Sequence, residues 1–278
     1  MKSTLILVNG YGQNCNRLIQ NYRLLCFCKA NNVRFINFSL WRWYSKYYPG
    51  AKVPLFQKIF ALVCKGIFRV LDLLKIDIIY HLDDKTKVVE YRKHILSHRL
   101  TLVDHWHLYD TEGEKQYGEE IRQSFQLLPE WYRNDPDYQA LKKFKDDGCT
   151  LIGVHIRRGD YKEFHNGEWY YSDDVYEKYI EQFREFLPDT PKKFIIFSVE
   201  KTTIAGDDIY CTHAPWYVDL HCLGMCDYTF GPPSTFRQWA SFMSGKLSWD
   251  IRDPNREIPD IKALYPYHSI LFIEDYFY

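Results

Sequence analysis

The chain has 278 residues, 46% hydrophobic and 26% charged, an ordinary globular composition with length enough for two domains. Lysine plus arginine and aspartate plus glutamate number 36 each. No window carries a sustained basic run, so there is no electrostatic footprint for a nucleic-acid partner.

Aromatics reach 18%, many in polar neighbourhoods: Trp41, Trp43, Tyr44, Tyr47, Tyr48, Trp106, Trp169, Tyr170 and Tyr171. Amphipathic rings of this kind suit sugars in a wet cleft, although enlargement of the core accounts for more than half of them. Eight cysteines, at 15, 26, 28, 64, 149, 211, 222 and 226, follow no repeated spacing. With no secretory leader at Met1-Lys2-Ser3-Thr4, they read as reduced, cytosolic thiols. His221, Cys222 and Cys226 lack a second pair at zinc-finger spacing, and core packing is the better account of them.

Thr4 to Val8 is a buried-strand run, followed by Asn9-Gly10-Tyr11-Gly12-Gln13-Asn14-Cys15-Asn16-Arg17-Leu18. Strand, glycine loop and helix open a nucleotide-type α/β half. Gly10 and Gly12 allow close backbone approach, and the loop amides point at whatever fills the cleft. A helix is expected over about 16–30 and a strand over 33–38. From Pro54 to Lys75, Leu55, Ile59, Leu62, Val63, Ile67 and Val70 keep helical period, with Gln57, Lys58, Lys65, Arg69 and Asp72 on the other side. A core or interface helix is the favoured reading and contact with a membrane surface the alternative. Charges recur too often for a transmembrane span.

The stretch from Thr101 to Asp110 ends a strand in His105 and His107, which alternate and so share a face. Two polar cleft residues are favoured over a zinc pair. A helix over 112–125 follows. The polar stretch 129–148, with the turn Asn134-Asp135-Pro136-Asp137, sets the expected domain boundary, giving domains 1–147 and 148–278.

The second half opens on Thr150 to Ile156, a β-branched run that drives into Arg157-Arg158-Gly159-Asp160-Tyr161. Open α/β sheets hold ligands at the carboxyl ends of such strands, and arginine forks match phosphate oxygens. Tyr171-Ser172-Asp173-Asp174 is expected to cap a helix to about Phe186. Strands over 193–198, 208–211 and 227–230 and helices over 216–226 and 234–244 complete a second α/β half. In Gly231-Pro232-Pro233-Ser234-Thr235-Phe236, Ser234 or Thr235 caps the last helix, whose amino terminus is a ready phosphate site.

His155-Ile156-Arg157-Arg158-Gly159-Asp160-Tyr161 resembles the first signature of the α1,2- and α1,6-fucosyltransferases, to which the protein O-fucosyltransferases are more distantly related, and within that superfamily the chain is similar to the α1,2-fucosyltransferases of the glycosyltransferase family 11 type. Gly10 to Asn14 is similar to the family's glycine-rich opening loop, with Gln13 and Asn14 transposed. Asp219 and Asp227 stand eight residues apart and Thr235 eight further on, similar to the last signature. Phe197-Ser198-Val199-Glu200 stands where many relatives carry Ser-Asp-Asp, with Glu200 as the substitute. The resemblance runs from Gly10 to about Lys246; the aromatic tail beyond Leu264 is expected to pack back across the domains.

The resemblance implies a GT-B fold, two Rossmann-like α/β domains facing a central cleft, the first on the acceptor side and the second binding the GDP-sugar. It implies that His155 and Asp219 read guanine and that Arg157 with Ser234 or Thr235 meets the diphosphate. Phe236 belongs to the same donor site, and Arg158 braces the loop through Asp160. Gly10, Gly12, Gln13, Asn14, His105 and His107 fall on the acceptor or cleft side. The implied reaction is an inverting transfer of L-fucose from GDP-β-L-fucose to a glycan hydroxyl, α1,2 to a galactoside, with no metal and no cofactor besides the donor. In it Arg157 stabilises the leaving diphosphate, and Glu163 and His165 are the candidate bases. The acceptor is expected to be an oligosaccharide or glycolipid. A leaderless chain points to a cytoplasmic enzyme of bacterial type, with the inner membrane face as the alternative location. A transferase using another GDP-sugar, a non-catalytic glycan- or nucleotide-binding protein on the same fold, and a phosphosugar-binding regulator are the competing readings.

Overall fold

Every strand that pairs in the first half of the chain runs parallel to its neighbours, so each must be linked to the next by a crossover. The computed structural model describes residues 3–7, 12–37, 40, 44–52, 54–74, 79–80, 88–103 and 110–266. The chain divides into two compact units, Met1–Leu128 and Pro129–Tyr278.

In the first unit β1 (Thr4–Leu7) lies between β2 (Arg34–Asn37) and β4 (Leu100–Val103), with β3 (Ile79–Tyr80) beyond β4. The apolar run of β1 is buried on both faces, which is why it does not alternate. Helix α1 (Asn14–Ala30) connects β1 to β2 and packs Leu24 and Phe27 with Val33, Ile95 and Val103. Helix α2 (Leu55–Leu73) forms where the helical period predicts it, but its apolar side is not core: Leu55, Ile59, Leu62, Val63, Ile67 and Leu73 are exposed. Of the favoured core-or-interface reading of that helix, the core half is corrected accordingly. Helices α3 (Val88–Ser97) and α4 (Thr111–Ser124) complete the unit. Asp110 ties them to α1, accepting from Asn31 at 3.1 Å and Arg92 at 3.3 Å.

The second unit begins with α5 (Pro136–Asp146), whose start is written in Asp135-Pro136. The Asp135 carboxylate accepts from the Asp137 and Tyr138 amides at 3.0 and 3.4 Å, and Pro136 occupies the first turn. The break between units falls at Leu128 and Pro129, ahead of the 147/148 division read from composition. Asp137 explains why α5 goes with the second unit: it accepts from Tyr210 Oη at 2.7 Å and His213 N at 2.6 Å.

Then follow β5 (Thr150–Ile156), α6 (Asp173–Phe186), β6 (Lys192–Ser198), β7 (Ile209–Cys211), α7 (Trp216–Met225), β8 (Tyr228–Gly231), α8 (Thr235–Ser244), β9 (Leu247–Asp250) and β10 (Tyr265–Pro266). Their order across the sheet is β10-β9-β8-β5-β6-β7, parallel except for β10 against β9. Chain direction across this sheet reverses between β5 and β8. This is the doubly wound order, and β5/β8 is its switch point, where such sheets bind ligands outside the strands' carboxyl ends.

The core is aromatic. Phe183 of α6 stacks on Phe230 of β8 with centroids 5.4 Å apart, among Tyr176, Tyr179 and Phe194. Of the aromatics expected in a wet cleft, Tyr44, Tyr47, Tyr48, Trp169 and Tyr171 are buried and only Tyr170 is exposed; Trp41, Trp43 and Trp106 lie outside the described residues. All eight cysteines are free thiols. Cys222 and Cys226 are core residues, and the His221 ring stacks on Tyr132 at 3.9 Å. The tail pairs with the sheet at Tyr265 and Pro266, and beyond Pro266 it lies outside the described residues.

Candidate active site

The last residues of β5 and the corner after β8 meet at the switch point. Gly231 makes the meeting possible. Its φ is +155°, and a Cβ there would stand 2.3 Å from the His155 carbonyl oxygen, so only glycine lets the two strand ends approach. Beyond the corner Tyr161 Oη donates to the Pro233 carbonyl at 2.6 Å, clasping the arginine loop to the start of α8. Burial pushes the Tyr161 phenol up to about 12, so it remains a donor at neutral pH.

His155, 7% exposed, lays its ring on Phe236 with centroids 5.3 Å apart. Burial, then the positive charges of Arg237 and Arg157, hold its pKa well below the usual histidine range, so the imidazole is neutral. Its Nδ1 has no hydrogen-bond partner among the described residues, and a buried polar atom of this kind is expected to meet one from a ligand.

Arg157 extends over the Tyr161 ring at 5.2 Å and reaches Asp160 at 2.8 Å. Arg158 does not brace Asp160, as the resemblance implied. It pairs with Asp173 at the start of α6 and donates to the Lys201 carbonyl at 3.3 Å. The reason is local: Asp173 already accepts from the Thr203 amide and hydroxyl, each at 2.7 Å, and a nearly buried guanidinium completes its shell. Burial raises the Asp173 carboxyl, but these bonds outweigh it and draw it down to about 2. Ser172 sits at the N-cap position of α6 without a side-chain cap bond. The exchange leaves Arg157 paired with an exposed carboxylate and resting on the Tyr161 ring, the more readily drawn to an anion.

Ser234 is the N-cap of α8, as expected, its hydroxyl accepting from the Phe236 amide at 3.3 Å. Thr235 is the first helical residue. The corner is held from beneath by Arg237, fully buried. It donates to the carbonyls of Gly231 and Pro232 at 3.0 Å each and pairs with Ser248 and Asp250. Neither Arg237 nor the Tyr161 clasp was read from the sequence. The available signal was an arginine in the first turn of a helix that follows Gly-Pro-Pro-Ser, where a basic side chain is disfavoured by the helix dipole.

Asp219 stands in the first turn of α7. Burial raises its carboxyl to about 7 against the lowering contact with Thr212, and Asp137 and Asp135 add repulsion. Its Oδ1 lacks a partner among the described residues. Glu163 and His165 lie on the exposed loop after Tyr161. His165 and Asn166 take left-handed φ of 47° and 56°, with the His165 ring held between Phe164 and Trp169 at 4.5 and 5.1 Å. Strain at non-glycine positions collects at functional loops.

On the first unit, Gly12 and Gln13 are exposed at the start of α1, and Asn14 accepts from Tyr44 Oη at 3.2 Å. Gly10, His105 and His107 lie outside the described residues.

A search of curated proteins finds no match. Among solved structures, the chain is similar to the fucosyltransferase NodZ from Bradyrhizobium, with a TM-score of 0.55 and 13% identity over 92% of this chain and 98% of that one. It is similar also to a mutant of Arabidopsis thaliana FUT1 in complex with GDP, with a TM-score of 0.55 and 10% identity over 96% of this chain and 74% of that one. At such identities the likeness speaks for the fold, which is of the GT-B type. Family membership comes from the sequence profile: residues 117–263, more than half the chain and all of the switch-point site, match glycosyl transferase family 11. The chain belongs to that family and is a glycosyltransferase.

Proposed function

We propose that the protein transfers L-fucose from GDP-β-L-fucose to a glycan hydroxyl with inversion. The observation that carries this reading is the gathering at the β5/β8 switch point of a neutral, buried His155 with an unsatisfied Nδ1, the Arg157 guanidinium, and the Ser234-capped start of α8. Such a constellation fits a base stacked and hydrogen-bonded beside a diphosphate. The fucosyltransferase NodZ and the GDP complex of FUT1, which share the fold, support the donor assignment.

In the proposed reaction the bond from C1 to the diphosphate oxygen breaks, and GDP departs with added negative charge. Arg157 and the α8 terminus take up that charge, so no metal is required for it. The acceptor oxygen attacks from the opposite face, giving an α-fucoside, and its proton passes to Glu163 or His165. Ionised Asp219 accepts from the guanine N1–H and exocyclic amine. The acceptor is assigned to galactosides, with an α1,2 linkage, on the family resemblance.

The test is incubation with GDP-fucose or GDP-mannose and a β-galactoside in chelator, with the product's anomer and linkage read by NMR. An α1,2-fucoside formed in chelator is expected. Turnover of GDP-mannose in place of GDP-fucose would overturn the donor assignment, and dependence on added divalent cation would overturn the metal-free step.

A further inference from the structure

The exposed large apolar side chains gather on α2. Leu55, Ile59, Leu62, Val63, Ile67 and Leu73 are each more than half exposed. At 3.6 residues per turn they fall on one side of the helix, joined only by other apolar residues and Gly66, while buried Cys64 marks the side packed on the protein. A face this long and unbroken on a monomer's surface marks a contact with something apolar. Among the described residues no helix is long and apolar enough to cross a membrane.

Charge selects the occupant. Between Val33 and Ile76 the sequence holds eight lysines and arginines against one acid, Asp72, in a chain whose overall net charge is zero. By helical period Lys58, Lys65 and Arg69 share the sector bordering the apolar side. Arg34 flanks it from β2, its guanidinium 5.7 Å from the Phe56 ring centroid. A second copy of the chain seated symmetrically on this face would bring two such cationic segments together, which opposes association. A bilayer with anionic headgroups satisfies both the apolar side and its basic border.

We infer that α2 is an interfacial helix that seats the protein on an anionic lipid surface. It lies in the plane of the headgroups with its apolar side in the acyl boundary. The inference stands apart from the choice of donor sugar.

Flotation of the full chain with vesicles of phosphatidylcholine alone, or mixed with phosphatidylglycerol, tests it. Binding to the mixed vesicles is expected, weakened by salt and much reduced without the anionic lipid. Val63→Glu with Ile67→Glu is expected to lower binding at least tenfold. Lys58→Glu with Arg69→Glu is expected to do the same at low salt, since each cation near such a surface strengthens binding by about fivefold. Circular dichroism melting shows that each variant is folded, and the wild-type comparison of the two lipids decides even if a variant is not. Failure of the folded wild-type chain to bind the mixed vesicles, indifference to headgroup charge, or equal binding by both folded variants would overturn the inference. A stable dimer split by Val63→Glu, in a chain that ignores vesicles, would assign the face to self-association instead.

Discussion

Asp219 keeps its proton into the neutral range because it is buried, with the carboxylates of Asp137 and Asp135 adding repulsion. Its carboxyl sits at about 7 in the fold against 3.8 ordinarily. The folded chain therefore holds a proton that the unfolded chain releases, and this group's contribution to stability is lost as pH rises from about 4 through about 7. Asp219→Asn is expected to remove that decline and to raise the melting temperature at pH 8. If Asp219 accepts two guanine donors, GDP affinity instead rises with pH below 7, by up to tenfold per unit, and the Asn variant loses both affinity and pH dependence. Calorimetric titration between pH 5.5 and 8.5 checks both signs. Arg157 is a different case, with its partner Asp160 more than half exposed. Arg157→Ala is expected to change stability by less than about 1 kcal/mol yet to lower kcat on the order of 10²-fold or more. Arg158, locked to Asp173, is expected to show the reverse balance, with stability affected more than turnover. The sequence places both arginines at the end of a strand; it does not say which of two adjacent guanidiniums turns inward, because that depends on Asp173 and Thr203, 15 and more residues away in sequence.

At the scale of elements, the corner between β8 and α8 carries the site's geometry. Gly231→Ala forces a methyl against the His155 carbonyl, and its cost is expected to exceed the ~1 kcal/mol typical of a point substitution. Nucleotide affinity is expected to fall with it. Arg237→Ala removes the guanidinium that pairs with the buried Asp250 carboxylate, costing about 3–5 kcal/mol. Replacing Arg237 with Met and Asp250 with Leu together is expected to restore most of the stability measured by denaturant melts. The GDP affinity is not restored, since the Gly231 and Pro232 carbonyls lose the donors that fix the corner. Strand β5, helix α8 and its Ser234 cap were legible because apolar runs and capping chemistry are local signals. The clasp from Tyr161 to Pro233 and the Arg237 bracket were not, because a tyrosine beside charges and an arginine in a helix acquire meaning only when distant strands are brought side by side. The apolar side of α2 shows the same limit from the other direction: its period fixes a helix, and only the surrounding structure shows that nothing in the described chain covers it.

At the scale of the whole molecule, two α/β units, their strands parallel apart from β10, were readable as α/β from alternating strand and helix runs. The order of strands, and with it the switch point at β5 and β8, follows from the crossovers and is visible only in the fold. That order explains why the segment from His155 to Tyr161 and the corner at Pro233, 72 residues beyond Tyr161, share a site. The account's central claim is that this site reads a guanine diphosphate. It is tested most directly by the melting temperature of the wild-type chain and Arg157→Ala with GDP, UDP and ADP in chelator. At a hundredfold excess over its dissociation constant, GDP is expected to stabilise the wild type by ~2.7 kcal/mol, a rise of several degrees, with little response to UDP or ADP and a diminished response in the variant. Equal shifts with all three nucleotides, or an undiminished GDP shift in Arg157→Ala, would contradict the reading of His155, Asp219 and Arg157 on which the account rests.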